Sequence, residues 1–341
     1  MKTIEVTVRI QDLFREVEAT LEARCPGQGY ASKTGALWAW ASRRRGSFWR
    51  RIAFVLDRRT YKEWDRAEGA FGLGVTREFW PLLNDSAPYE AAYARLEDEE
   101  SRQVYLWRLK ARLAMPFVLR WEDAYPAPKP PGVGDLTIGA AEEAFCKGFA
   151  SGQYLLRGVC MPEPGDVVLD VGAFLGDSAV AFSRLVGDAG RVYSIEALAD
   201  QFEALKSNLA RFGCANVTPC FNAAWNRNEE LHIAANRGSS SIGGGENPVP
   251  GIRLDDFVAG RGIERVDFIK MDIEGAEQEA IEGGAETIRR FRPKLALSAY
   301  HKPEDIHLLM TMVSELHPGY RFHMRHYDPK GMNDTVLYAV P

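Results

Sequence analysis

No stretch of this sequence approaches the roughly 18 consecutive apolar residues that a membrane-spanning helix requires, so a membrane is not an expected partner. There is no Cys-x-x-Cys pair. The five cysteines, Cys25, Cys146, Cys160, Cys214 and Cys220, are scattered, which argues against a zinc knuckle or a disulfide framework and fits buried or free thiols in a reducing cytosol. Basic charge is not in excess either. The 42 Lys and Arg stand against 47 Asp and Glu, a net charge of -5, and nucleic acid is therefore not an expected partner. The N-terminal MKTIEVTVRIQDLF is interrupted by charges and has no apolar core of a signal peptide, so the expected location is the cytoplasm. None of the six histidines precedes His232, which confines any imidazole chemistry to the last third of the chain.

What is present is strongly patterned. Leu96, Val104, Leu106, Leu109 and Leu113 recur at helical spacing and predict helix over 85–123. Residues 125–134 then hold four prolines and two glycines, which neither a helix nor a central strand tolerates. The division expected is an N-terminal module at 1–124, a linker at 125–135 and a main domain at 136–341. Within the latter, strands are predicted at 167–171, 191–195, 217–221, 266–271, 294–298, 320–325 and 335–340. Helices are predicted at 177–185, 199–212, 276–290 and 305–316. Strands alternating with helices predict an α/β fold with a mainly parallel sheet covered on both faces. The loop between the last two strands is too short for a parallel crossover, so these two should pair antiparallel. The Gly- and Ser-rich patch 238–245 reads as a mobile loop.

Three constellations carry chemistry. In the first, VVLDVGAFLGD, an apolar strand ends in Asp170, and the turn Gly172-Ala173-Phe174-Leu175-Gly176 opens a helix at Asp177. Gly172 lets the backbone turn tightly and approach a ligand, and the helix start offers free amides. A dinucleotide fingerprint needs a glycine where Ala173 stands. An acid at Asp170 repels a pyrophosphate and suits a cationic ligand such as S-adenosylmethionine. The second is Glu196, twenty residues after Gly176 at the end of the next strand, where a carboxylate accepts both hydroxyls of an adenosine ribose. The third is DFIKMDIEGAE, in which Lys270, Asp272 and Glu274 alternate with Ile269, Met271 and Ile273. Charges at the end of a core strand are expensive unless they serve a site. Asp272 is expected to face the cofactor, and Glu274 to face the substrate or fix the turn.

FIKMDIEGAE, with LDVGAFLGD before it and YHK after it, closely resembles the FkbM family of S-adenosylmethionine-dependent methyltransferases over residues ~90–341. The resemblance implies a class I methyltransferase fold: a seven-stranded, mostly parallel sheet of order 3-2-1-4-5-7-6 with strand 7 antiparallel. It implies cofactor contacts at Asp170, Gly172, Gly176 and Glu196, with Asn222, Ala223 and Ala224 lining the adenine and the Ser239–Ser241 loop folding over it. Ala173 and Asp177, inside the same motif, and Tyr154, in the lead-in Gln153-Tyr154-Leu155 where the family shows a Phe after the Tyr, complete the candidate cofactor set. Several relatives carry a small Rossmann-like domain in front. Residues 35–41 and 52–57 resemble its strands, but its glycine loop is replaced by Ala41-Ser42-Arg43-Arg44-Arg45-Gly46, so a degenerate module is expected. The Arg-rich run 43–59 reads as a solvated charged face or, alternatively, as an attractor of an anionic substrate, carrier protein or phosphate, and a homodimer, if one forms, is expected to pair through this module.

Methyl transfer from a sulfonium is an in-line displacement, for which the protein chiefly holds the acceptor atom in line with the C–S bond. An aliphatic hydroxyl also needs help in losing its proton. His301 and His326, at the ends of C-terminal strands, are the candidate bases, Asp272 is a further candidate catalytic residue, and Lys302 is placed to neutralise an anionic acceptor. Mg²⁺ held by Asp272, Glu274 and His301 is admissible but not favoured, because the sequence lacks an Asp-Asp pair; no metal ligand is assigned. The expected activity is O-methylation of a small molecule such as a sugar, a polyketide or another secondary metabolite. The alternatives are a non-catalytic binding or scaffold protein on the same fold, and a nicotinamide-dependent oxidoreductase, which Ala173 and Asp170 disfavour.

Overall fold

The computed structural model describes residues 87–114, 152–236, 239–242, 248–302, 304–327 and 333–341. The chain divides into two compact units, Met1–Pro126 with Asp328–Met332, and Ala127–Tyr327 with Asn333–Pro341. The expectations for residues 1–86 and for the linker at 125–135 lie outside the described residues.

In the first unit the predicted long helix is two helices, α1 (Ala87–Ala94) and α2 (Glu99–Ala114). The break falls where Asp98 caps α2, its Oδ1 accepting from the Ser101 backbone N–H at 2.7 Å and from the Ser101 hydroxyl at 2.9 Å. The buried Tyr105 hydroxyl donates to the Tyr89 carbonyl at 3.0 Å and ties α2 back to α1.

The second unit is built on a seven-stranded sheet of order β10-β11-β9-β8-β1-β2-β3. Its strands are β1 (Val167–Val171), β2 (Arg191–Glu196), β3 (Val217–Phe221), β8 (Phe268–Met271), β9 (Lys294–Ser298), β10 (Arg321–His326) and β11 (Thr335–Val340). All neighbours are parallel except β11, which runs antiparallel to both β9 and β10. This is the class I methyltransferase order implied by the resemblance. Burial follows position in the sheet. The edge strand β10 alternates, with Phe322, Met324 and His326 turned inward, whereas the inner strand β8 is buried at every residue. Helices α3 (Asp177–Val186) and α4 (Ala199–Arg211) connect the strands of one half. The left-handed Gly213, φ 66°, ends α4, and the Cys214 N–H closes back onto the Leu209 carbonyl at 3.0 Å.

Two expectations need correction. The helix predicted over 276–290 is split into α6 (Glu277–Gly283) and α7 (Ala285–Phe291) at Gly283 and Gly284. A Cβ on Gly283 would lie 2.0 Å from the Trp225 carbonyl oxygen, so close packing rather than helical periodicity decides that position. The Ser-rich patch is not simply a mobile loop. Ser239–Ile242 form β6, antiparallel to β5 (Glu229–Asn236), in a second sheet of order β4-β7-β5-β6 with β4 (Ala223–Ala224) and β7 (Pro248–Ile252). Helices α5 (Leu254–Gly260) and α8 (Asp305–Leu316) complete the unit. No helix among the described residues is long and apolar enough to cross a membrane. Cys160, Cys214 and Cys220 are free and buried.

Candidate active site

The chain runs outward from β1 through β2 to β3, then returns to the other side of β1 as β8. This reversal leaves a crevice beyond the carboxyl ends of β1 and β8, where ligands bind in open α/β sheets. The turn after β1 is held there by three left-handed residues, Gly172 (φ 80°), Phe174 (φ 48°) and Gly176 (φ 93°). A Cβ on Gly172 would meet the Asp272 carbonyl oxygen at 1.9 Å, and one on Gly176 would meet Leu205 Cδ1 at 2.8 Å. Gly172 is therefore a steric necessity, and Gly176 is required by its left-handed backbone. The N–H groups of Gly172 and Ala173 donate to the Ile195 carbonyl at 2.9 and 3.0 Å, which fastens the turn to β2.

Glu196 ends β2 with its side chain turned back under this turn. Its Oε2 accepts from the Phe174 N–H at 2.8 Å, and its Oε1 from the N–H groups of Ala197 and Leu198 at 2.9 and 2.8 Å. Burial raises its pKa, and these three N–H bonds offset only part of that rise. A carboxylate offers about four acceptor positions, so three backbone bonds leave capacity for a ligand hydroxyl. The Asn222 N–H donates to the Glu196 carbonyl at 3.2 Å, which brings Asn222 and Ala223, at the start of β4, alongside.

Asp170 is fully buried. Its carboxylate accepts from Ser178 Oγ at 3.0 Å and Ser194 Oγ at 3.3 Å, and Lys270 Nζ stands 3.4 Å away. The Lys270 ammonium also donates to the Gly172 carbonyl. Burial works against that charge, but Asp170, Asp272, Asp177 and Glu196 outweigh it and hold the pKa above its usual value. Asp170 thus meets an internal cation, where the sequence suggested a cationic ligand. Lys270 was counted in the sequence only as one charge among several. Its signal was a lysine inside the four-residue strand FIKM, which no solvated face explains. Burial raises the Asp177 carboxyl to about 6, and the nearby Asp170 charge adds to the effect.

At the ends of β8 and β9 lies a second group. Asp272 Oδ2 accepts from the Tyr154 hydroxyl at 2.6 Å, and Oδ1 from the Tyr300 hydroxyl at 3.2 Å. Burial alone would raise the Asp272 pKa, but the charges of His301 and Lys270 and the Tyr154 bond bring it below the ordinary value. His301 is nearly buried. Its Nδ1 lies 3.0 Å from Glu277 Oε1, and its Nε2 lies 3.5 Å from both Asp272 Oδ1 and Glu274 Oε2. Burial lowers the imidazole pKa, yet Glu277, Asp272 and Glu274 overcome this and lift it to about 9. His301 is therefore a cation facing three carboxylates, and not the ready base expected of it. Glu274 sits at φ 56° with its carboxyl raised to about 7, chiefly by burial.

Tyr154, placed in the cofactor set by the resemblance, here supports Asp272. Lys302 is ion-paired to Glu279 at 3.3 Å, and so is already engaged with a carboxylate. His326 lies on β10, Nδ1 2.8 Å from Thr335 Oγ1, and is not among the groups gathered around His301. Two members of the cluster escaped the sequence reading, Glu277 and Tyr300. Each lies inside a motif that the sequence shows, DFIKMDIEGAE and YHK, but their convergence depends on how α6 starts beside β9.

Residues 170–326 match the family model described as the methyltransferase FkbM domain. This segment is similar to the FkbM methyltransferase domain. A crystal structure of an FkbM methyltransferase from Methylobacillus flagellatus superposes with a TM-score of 0.59 at 22% identity, covering 76% of this chain and 60% of that one, a likeness that establishes the fold. Among curated proteins, this chain is similar to the 2-O-methyltransferase NoeI of Sinorhizobium fredii, 48% identical over 87 residues, which are 25% of this chain and 34% of that relative. A protein-L-isoaspartate O-methyltransferase of Aeropyrum pernix is 30% identical over 140 residues, 40% of this chain and 53% of that relative. The chain thus spans about half or less of the length of the curated relatives it matches.

Proposed function

We propose that this protein transfers the methyl group of S-adenosylmethionine to an oxygen of a small-molecule acceptor, a hydroxyl in the first instance. The observation that carries the reading is Glu196, a buried carboxylate fixed by three N–H groups beneath the left-handed turn after β1, with acceptor capacity left over. A ribose diol supplies the missing donors. The left-handed turn from Gly172 to Gly176 borders the amino-acid end of the cofactor, and Asn222 and Ala223 border the adenine. The acceptor then lies at the ends of β8 and β9, beside Asp272, Glu274 and His301. Oxygen as the acceptor atom is supported by both curated relatives, whose names state O-methyl transfer.

In the transfer, a lone pair of the acceptor oxygen forms the new O–CH₃ bond as the C–S bond breaks, and the sulfonium leaves as a neutral thioether. The hydroxyl proton must go to a base at this end of the sheet.

Calorimetric titration tests the cofactor. S-adenosylhomocysteine should bind and NADH should not, and Glu196→Ala should weaken S-adenosylhomocysteine by roughly 30- to 100-fold through loss of hydrogen bonds to a charged group. Binding of NADH instead would overturn the reading. Labelled methyl transfer to hydroxylated small molecules tests the acceptor atom, because a methyl ether survives mild base whereas the ester formed from a carboxylate is cleaved.

A further inference from the structure

We infer that the ends of β8 and β9 form a divalent-cation site, with Asp272 Oδ1, Glu274 Oε2 and His301 Nε2 as its protein ligands and Glu277 as the carboxylate that orients the histidine. The two separations from the histidine are those of a coordination sphere. Two ligand atoms about 2.1 Å from a tetrahedral metal stand about 3.4 Å apart, and His301 Nε2 is 3.5 Å from each of the two carboxylate oxygens. Ligand atoms of Asp272, Glu277 and His301 all lie within 4.8 Å of one another, Glu277 meeting the histidine at Nδ1 rather than Nε2.

An acidic cluster alone would not carry this, but the histidine does. The His301 side chain is 9% exposed, and its Nε2 is buried, makes no hydrogen bond, and is aimed between Asp272 and Glu274. The opposite ring nitrogen is fixed by the fully buried Glu277, whose Oε1 also takes the Ile273 N–H at 2.9 Å. A carboxylate on one ring nitrogen with the other left for a metal is the usual outer-shell arrangement of metal-binding histidines. Asp272 is oriented in the same manner by the Tyr154 and Tyr300 hydroxyls. Glu274 holds a left-handed backbone, which a glutamate adopts only when the surroundings enforce it.

Two carboxylates and one imidazole suit a divalent ion of intermediate hardness, of the Mn²⁺, Fe²⁺, Co²⁺ or Zn²⁺ kind, better than Ca²⁺, which takes oxygen alone. Three protein ligands leave coordination positions open for an acceptor oxygen. The donors stand independently of the proposed activity, and only the use of the open positions rests on it.

Co²⁺ is a suitable probe, because its visible absorption reports nitrogen and oxygen ligation directly. The full chain, freed of metal with a chelator, should bind one equivalent of Co²⁺. His301→Ala and Glu274→Gln should each remove that binding, and Glu277→Gln should weaken it about 10- to 100-fold. Circular dichroism and S-adenosylhomocysteine titration of each variant show whether it has folded. Absence of Co²⁺ binding tighter than about 1 mM, or binding unchanged in both His301→Ala and Glu274→Gln, overturns the site. Loss of S-adenosylhomocysteine binding with the cobalt spectrum intact would instead refute the methyltransferase reading and leave the cation site standing.

Discussion

Lys270 shows how much one side chain can decide. Its ammonium closes the gap between the Asp170 carboxylate and the Gly172 carbonyl, and four carboxylates share its field. Removing one partner of a buried ion pair leaves the other uncompensated, at a cost of about 3–5 kcal/mol. Lys270→Met should therefore lower stability by about that amount in urea unfolding, although methionine fills nearly the same volume. Asp177 gives a test with a pH signature. Its folded pKa of about 6 lies above the usual aspartate value, so between those two values the folded state binds more protons than the unfolded one, and stability falls as pH rises through this window. Asp177→Asn should match the wild type near pH 4 and exceed it at pH 7 by about 2 kcal/mol, the full linkage value being reduced because the side chain is part-exposed. Denaturation curves at three pH values would check both the sign and the window.

At the scale of elements, the informative positions are the ends and breaks. Gly213 and Gly283 each follow or close a helix, and in sequence they look alike. The structure separates them. Gly213 needs a left-handed backbone but has open space where a Cβ would go, whereas Gly283 is pressed against the Trp225 carbonyl. Gly213→Ala should cost about 1 kcal/mol, the left-handed penalty. Gly283→Ala should cost more than twice that, because backbone must move, and thermal melts of the pair would rank them. Strand positions were the most legible part of the sequence. The bounds of β1, β3, β9, β11 and α8 coincide with those expected, because each is a clean apolar run or amphipathic stretch. The second sheet was not legible. Its strands are short, Pro248 and Pro250 interrupt β7, and serine fills β6, so pairing rather than composition makes them strands.

At the scale of the whole molecule, ligand and fold are linked. A ligand that binds only the folded state stabilises it by about 2.7 kcal/mol at a hundred times its dissociation constant. S-adenosylhomocysteine at that excess should raise the melting temperature of the wild type. The rise should shrink by about two thirds or more in Glu196→Ala, while the unliganded melt of that variant reports any structural cost separately. The matched FkbM domain occupies residues 170–326, so the parts of the chain outside it are where a substrate-specific contribution would be sought.

The sequence by itself determined the layered α/β fold, the strand order through its resemblance, and the three motifs at the carboxyl edge of the sheet. Periodicity and turn glycines are local properties, readable along the chain. Tertiary structure alone decided that Asp170 meets Lys270, that Tyr154 holds Asp272, and that Glu274, Glu277 and His301 converge. Those pairings join residues from different strands and helices. Their chemistry is set by distance and burial, which no spacing along a single chain encodes.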